Sequence, residues 1–374
     1  MHICVISTSQ IPSSTANSIQ VAKVCQAYKQ IGHEVTLYVP GDKDEDWETI
    51  KRVYGLSEKF QIEWIRSAKS FHRYDFALKA MNKSRKMAFD LIHTWTPQVA
   101  LLANILKMPY LLELHELPTG HLGPYIYKSI LKSKFRKKRF LPITNALRNR
   151  YEEEFHIKFL PEEVVISPDG VDIERYTNLG SASEMRNRLS LPDRFSAVYT
   201  GHLYAGRGMN LLIELAKLLP EINFIWVGGR QNDLDQWHKK IIEIGIQNII
   251  LTGFIDNELI PKYQAAGDVL LMPYEKEISG SSGGNTAEYC SPMKMFEYLA
   301  AGRPIISSDL SVLHEVLNTT NAIFCDSNDP ICWKNAIINL MNFPDIGNNL
   351  SKNAIEDAKK YTWNKRCING LKNF

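Results

Sequence analysis

Several features that would assign this chain to a special class are missing from its sequence. Six cysteines are present, Cys4, Cys25, Cys290, Cys325, Cys332 and Cys367, but they form no C-x-x-C pair and no metal-ligand spacing. Several lie inside apolar runs, so buried reduced thiols are expected and a disulfide framework or zinc site is not. Residues 1–6 read as a buried strand without a basic n-region, so no secretory leader is predicted. The apolar run at 99–106 is interrupted by Asn104 and ended by Lys107, too short to cross a bilayer. There is no repeat of solenoid period and no low-complexity tract. The first strand runs into Ser7-Thr8-Ser9-Gln10, without the glycine fingerprint of a dinucleotide oxidoreductase. These absences point to a cytoplasmic globular protein.

One absence is local. From Leu117 through Tyr151 there is no acidic residue, against nine Lys and Arg, seven of them between Lys128 and Arg139. Tyr127, Leu131 and Phe135 repeat at i,i+4, as do Ile126 and Ile130, so 126–139 reads as a helix with an apolar stripe beside a basic face. Two readings stand evenly. The face meets anionic lipid headgroups or a lipid diphosphate, with the protein peripheral on the inner face of the cell membrane; or the helix packs on the core and its charges are simply solvated. Nucleic acid is not an expected partner, because no base-stacking platform accompanies the charge. Residues 1–180 hold 25 Lys and Arg against 20 Asp and Glu, and the remainder 19 against 21, so an overall +3 divides into +5 and −2. The first half is the one suited to an anionic partner.

What the sequence does contain is ample apolar material. Its 374 residues, 44% apolar and 23% charged, suffice for two domains with separate cores. Apolar strands alternate with amphipathic helices to the end, the pattern of a parallel α/β protein. Strands are predicted at 3–7, 35–39, 62–65, 91–94, 110–114, 140–143 and 164–166, then at 197–200, 224–227, 249–252, 269–272, 305–307 and 322–325. A helix is predicted at 18–31, and the Ser-, Asn- and Arg-rich stretch 175–193 reads as a linker. The expected architecture is two tandem Rossmann-like doubly wound domains, 1–180 and 181–353, facing a central cleft. A C-terminal helix within 354–374 is expected to return to the first domain.

The densest chemistry lies at 291–306. Ser291 suits an N-cap and Pro292 the first helical position, while Ala300-Ala301-Gly302 stops the helix before Arg303-Pro304. Backbone N–H groups near Met293 and Lys294, with the Lys294 charge, make an anion site. Glu297, at i,i+3 from Lys294, places a carboxylate where a ribose diol could donate to it. A second loop, Gly201-His202-Leu203-Tyr204-Ala205-Gly206-Arg207-Gly208, follows an apolar strand and precedes a helix. Its glycines admit backbone close to a diphosphate and Arg207 supplies a guanidinium fork, although alone the loop is also a tight turn with a solvated arginine. His115 ends the strand Leu111-Leu112-Glu113-Leu114, where ligand-facing residues of α/β sheets sit; a structural histidine is the alternative, and His93 is read as structural. Asn17 and Ser18 follow the first strand, to admit a substrate or to cap a helix.

On these residues the chain resembles the GT-B glycosyltransferases of the retaining group called family 4. The resemblance rests on the G-x-L-x-x-x-[RK]-G loop at 201–208, Leu251-Thr252-Gly253-Phe254, the S-P-x-K-x-F-E-Y-x-A-x-G-x-P block at 291–304, and Ile166-Ser167-Pro168-Asp169-Gly170-Val171-Asp172. It implies a retaining transfer of a sugar from a nucleoside-diphosphate sugar, UDP first and GDP second, to a hydroxyl acceptor in polysaccharide or glycolipid synthesis. It implies no metal and no cofactor, the donor being a co-substrate. By position, Arg207 and Lys294 would meet the diphosphate, Glu297 the ribose, Gly253 and Phe254 the base, and His115 the transferred sugar. Gly201, His202, Gly208, Ser291, Pro292 and Met293 would complete the donor site. Two departures are visible. His202 stands where many relatives carry arginine, which would weaken the cationic clamp or make it sensitive to pH near neutrality. The usual first glutamate of a pair falls on Tyr289, with Glu288 one residue off. The segment 274–290, with Gly280, Gly283 and Gly284, reads as a lid over the donor or as a plain surface loop. A non-catalytic nucleotide-sugar-binding subunit, and a GT-B epimerase or hydrolase, remain as alternatives.

Overall fold

In a computed structural model, residues 1–42, 44–68, 73–278 and 285–374 are described. The chain divides into two units, Met1–Asp169 with Trp363–Phe374, and Gly170–Thr362. The division falls ahead of the expected boundary at 180. The stretch expected to be a linker is folded: a 3-10 turn at Ile173–Tyr176 is followed by a helix, Ala182–Arg188, started by a Ser181/Glu184 capping box. Arg186 on that helix is buried and ion-paired to Asp193 and Asp268, so its polarity is structural.

The first unit holds six parallel strands, β1 (His2–Ile6), β2 (Glu34–Pro40), β3 (Gln61–Ile65), β4 (Leu91–Thr94), β5 (Tyr110–Leu114) and β6 (Lys138–Pro142), in the order β3-β2-β1-β4-β5-β6. The second repeats the plan with β7 (Ser196–Thr200), β8 (Asn223–Val227), β9 (Ile249–Gly253), β10 (Val269–Met272), β11 (Ile305–Ser308) and β12 (Ile323–Cys325), ordered β12-β11-β10-β7-β8-β9. Helices flank both sheets, so the central strands are covered on two faces; every residue of β4, β5, β7, β8, β10 and β11 is buried. That double burial is why these strands read as unbroken apolar runs rather than alternating ones. The predicted strand at 164–166 is reduced to a single bridge between Phe140 and Val164.

Each sheet reverses its strand order at one place, between β1 and β4 and between β10 and β7. At such a switch point the connections leave to opposite faces and open a crevice at the carboxyl ends of the strands. The C-terminal helix Trp363–Leu371 belongs to the first unit and packs on the helix Ala16–Gln30. Arg139 anchors the end of that helix and the residues beyond it, donating to the carbonyls of Gly370 and Lys372 at 2.8 Å each.

The basic segment is corrected here. Its helix is Gly123–Leu131 only, and the chain then turns into β6. Lys138 and Arg139 are buried strand residues, Lys138 paired with Glu163 at 3.2 Å, so they cannot serve a basic surface. Lys128, Lys132, Lys134, Arg136 and Lys137 are exposed, near the exposed Leu122 and Tyr125. Among the described residues no helix is long and apolar enough to cross a membrane. All six cysteines are free, four of them buried, with Cys290 and Cys332 partly exposed.

Candidate functional site

The second unit gathers its site at the switch between β7 and β10. β7 ends at Thr200, and Gly201 takes φ +138, where a Cβ would stand 2.8 Å from Lys294 Nζ and 3.3 Å from Tyr199 Oη. The loop closes at Gly208, φ +75, which starts the helix Met209–Leu218; a Cβ there would lie 1.9 Å from the carbonyl oxygen of Pro273. Glycine at 208 lets this loop lie against the chain leaving β10, and glycine at 201 lets it lie against the Lys294 side chain.

Across from the loop begins the helix Met293–Ala301, ended by Gly302 in the left-handed region. Its start differs from expectation by one residue. Pro292, at ψ 125, is the N-cap rather than the first helical residue, no side chain caps the helix, and Ser291 lies buried one step outside. The reason is local: proline cannot donate, and its extended ψ already turns the chain into the helix. Of the first-turn N–H groups, that of Met295 donates to the Pro292 carbonyl at 2.9 Å, while those of Met293 and Lys294 precede any intrahelical acceptor.

Lys294 and Arg207 are the electrostatic centre. Lys294 Nζ is buried without a hydrogen-bond partner among the described residues, 3.8 Å from the centre of the Tyr199 ring and 5.3 Å from that of Tyr274. Arg207 lies over Tyr204 and Tyr274, at 4.9 and 5.0 Å, and donates to Tyr204 Oη at 2.8 Å, while its Nε is buried and has no partner among the described residues. Three tyrosine faces thus hold two cations side by side where carboxylate partners would usually stand. Burial, and next the Arg207 charge, push the Lys294 ammonium well below its usual range, with Glu297 opposing. Glu297 accepts from Gln264 Nε2 at 2.9 Å; Gln264, fully buried, also donates to Thr200 and accepts from Tyr176.

His202 is stacked on Tyr204 at 5.3 Å, with its backbone carbonyl accepting from Tyr199 Oη. Burial, then Arg207, Arg230 and Lys294, lower its pKa to about 4, so near neutrality it is uncharged and adds no third cation. The expected titration near pH 7 does not hold. Gly253 ends β9 at φ +75 and Phe254 follows with an exposed ring. Glu288 is exposed and Tyr289 is buried in the same turn. Gly280, Gly283 and Gly284, which carried the lid reading, lie outside the described residues.

In the first unit, His115 follows β5, about 30% exposed, with Nε2 3.2 Å from Glu113 Oε2. Glu113 is fully buried and engages two more side chains: Arg366 bidentately at 2.7 Å to each oxygen, and His93 Nε2 at 2.9 Å. Burial raises the Glu113 carboxyl, but Arg366, His115 and His93 outweigh it and hold it well below the usual range. His93, lowered mainly by burial, bonds Tyr28 Oη through Nδ1 at 2.7 Å and is structural, as expected. Asp169 accepts from Gln20 at 2.5 Å, and burial raises its pKa to about 6 against the pull of His115 and Arg366. Ser18 is spoken for: its hydroxyl donates to the carbonyls of Ser13 and Thr15, and Thr15 is the helix cap, leaving Asn17 exposed beside it.

Sequence reasoning missed Glu113, Arg366, Asp169 and the tyrosine cradle. A lone carboxylate inside the apolar β5 was the available signal for the first, since a buried charge demands a partner. Nothing local to residue 366 announced it.

Two doubly wound α/β units in tandem, the second with cations and a helix start at its switch point, are the build of a GT-B glycosyltransferase. Comparison agrees. Residues 18–175 match the family described as Glycosyltransferase Family 4, and residues 194–342 that described as Glycosyl transferases group 1. The chain is 24% identical over 300 residues to the alpha-galactosylglucosyldiacylglycerol synthase of Streptococcus pneumoniae, covering 78% of this chain and 72% of that one. It is 25% identical over 169 residues to the processive diacylglycerol alpha-glucosyltransferase of Acholeplasma laidlawii, 44% and 46% of the two chains. The crystal structure of Anabaena HepE in complex with UDP-glucose superposes with a TM-score of 0.74 over 100% of both chains at 16% identity. The chain belongs to the group 1, family 4 glycosyltransferases.

Proposed function

We propose that the enzyme transfers a sugar, with retention of anomeric configuration, from a UDP-sugar to a hydroxyl of a lipid-linked or glycolipid acceptor. The observation that carries the donor half is the pair of buried, unpartnered donors, Lys294 Nζ and Arg207 Nε, beside a helix start. Buried cationic N–H groups left without acceptors are costly unless an anion completes them, and a leaving diphosphate does so as its charge develops. In this reading Glu297 accepts from the ribose, Phe254 lies by the base, and His115 contacts the transferred sugar. The diphosphate charge falls to side chains and backbone, so transfer should persist in EDTA. Two relatives named for diacylglycerol lipids, and HepE with UDP-glucose, support the substrate classes.

The test is thermal stabilisation by UDP-, GDP-, ADP- and TDP-sugars, with Glu297→Ala in parallel. A shift with UDP-sugars alone, lost in the variant, supports the reading; no shift with any donor sinks it. The anomer of the product, read by NMR, decides retention.

For the acceptor side, the exposed Leu122 and Tyr125 beside Lys128, Lys132, Lys134, Arg136 and Lys137 suit an anionic lipid surface. Flotation with phosphatidylglycerol vesicles should be lost on neutralising those five bases. Unchanged flotation would return them to the solvated exterior.

A further inference from the structure

His115 sits on a buried assembly that its own neighbourhood does not explain. Glu113 lies two residues before it in β5, fully buried, and both of its oxygens receive the Arg366 guanidinium at 2.7 Å. Arg366 comes from the C-terminal helix and is pinned a second time by the carbonyls of Pro168 (2.9 Å) and Ser167 (3.1 Å). A carboxylate held in this way accepts only. The His115 Nε2 that meets it at 3.2 Å must therefore carry the proton, and in the neutral ring Nδ1 is left with its lone pair. No protein group among the described residues bonds Nδ1. His93 obeys the same rule: with Nε2–H toward Glu113, its Nδ1 accepts from Tyr28 Oη at 2.7 Å.

We propose that Glu113, locked by Arg366, is the positioning residue for His115. It fixes the ring as the Nε2–H tautomer and presents Nδ1 as an acceptor for a hydroxyl of the substrate sugar. Four charged or titratable groups frame the ring: Glu113 and His93 on neighbouring strands, Arg366 from the C-terminal helix, and Asp169 at the end of the unit's first segment. Only Glu113 accepts from the His115 ring among the described residues. The kinetic consequence rests on the reading of His115 as a sugar contact; the tautomer does not.

The experiment is long-range ¹⁵N–¹H NMR on the full chain labelled at histidine, with His115 assigned by its loss in His115→Gln. The expected spectrum shows His115 protonated at Nε2 and bare at Nδ1. A ring protonated at Nδ1, or a rapid mixture of tautomers, overturns the proposal. Glu113→Gln alone strands Arg366 and could fail to fold, so the double variant Glu113→Gln, Arg366→Gln removes both charges together. In it His115 should become a tautomer mixture, and kcat should fall about 10- to 100-fold, the size of one lost charged hydrogen bond, with donor KM within about twofold. Retention of the Nε2–H tautomer and of kcat in the double variant also overturns it. Undiminished transfer by His115→Gln would instead sink the sugar contact while leaving the tautomer result to judge Glu113.

Discussion

Lys294 is a residue whose cost and use are the same fact. Its ammonium is pushed down by burial and by Arg207, so the unfolded chain binds more protons than the folded one between that depressed value and 10.5. The Lys294 contribution to the stability of the ligand-free protein therefore rises with pH across that window, and Lys294→Met should hold or raise its melting temperature. The same substitution should weaken UDP binding about 10- to 100-fold. Wherever the pH lies above the depressed value, diphosphate binding should take up a proton. Calorimetry in two buffers of different ionisation enthalpy reads that uptake, and Lys294→Met should abolish it. Asp169 runs the other way. Its pKa is raised from 3.8 to about 6 by burial, so its contribution is fully present below 3.8 and lost as pH rises through 6. Asp169→Asn should stabilise above pH 6, by about 3 kcal/mol as an upper bound, and do little below pH 4. Equal effects at both pH values in chemical unfolding would contradict the assignment.

At the scale of elements, the glycine loop after β7 is the least replaceable. Gly208→Ala forces a left-handed φ of +75 on alanine and drives its Cβ to 1.9 Å from the Pro273 carbonyl. A loss of about 3 kcal/mol or more in urea unfolding is expected, with donor binding lost too. A Cβ at Gly201 meets mainly the end of the Lys294 side chain, so Gly201→Ala carries the strain of φ +138 without a backbone clash and should cost less stability than Gly208→Ala while lowering donor affinity. Elements are also where the sequence was read most and least well. The strands were legible because parallel strands buried on both faces are mostly apolar, in short runs bounded by polar loops that alternate with amphipathic helices. Lys138 and Arg139 were misread because a run of bases following an i,i+4 stripe looks like more helix, whereas these two belong to β6 and spend their charge on Glu163 and on chain-end carbonyls. Arg207, Lys294 and Glu297 were legible as a motif. The tyrosines that hold the cations were not, since Tyr199, Tyr204 and Tyr274 meet only once β7 and β10 are neighbours.

At the scale of the whole molecule, the first unit is discontinuous. The chain leaves it at Asp169 and re-enters at Trp363. Losing Arg366 leaves Glu113 a buried carboxylate without its main counter-charge, a situation that costs about 3–5 kcal/mol. Removal of residues 363–374 should therefore lower the stability of the first unit while the second, which holds Lys294 and Arg207, keeps its cooperative unfolding. Parallel loss of both transitions in calorimetry would show that the tail stabilises more than the unit it returns to.

That return also sets an order of events during synthesis. A ribosome makes the residues of the first sheet early and Arg366 only after all of the second unit. Until then the nascent first unit carries Glu113 without its partner, while all of the second unit is already made. The unit encoded first is thus the one completed second, and a chain stalled between Thr362 and Arg366 should expose residues of the first unit to protease more than those of the second.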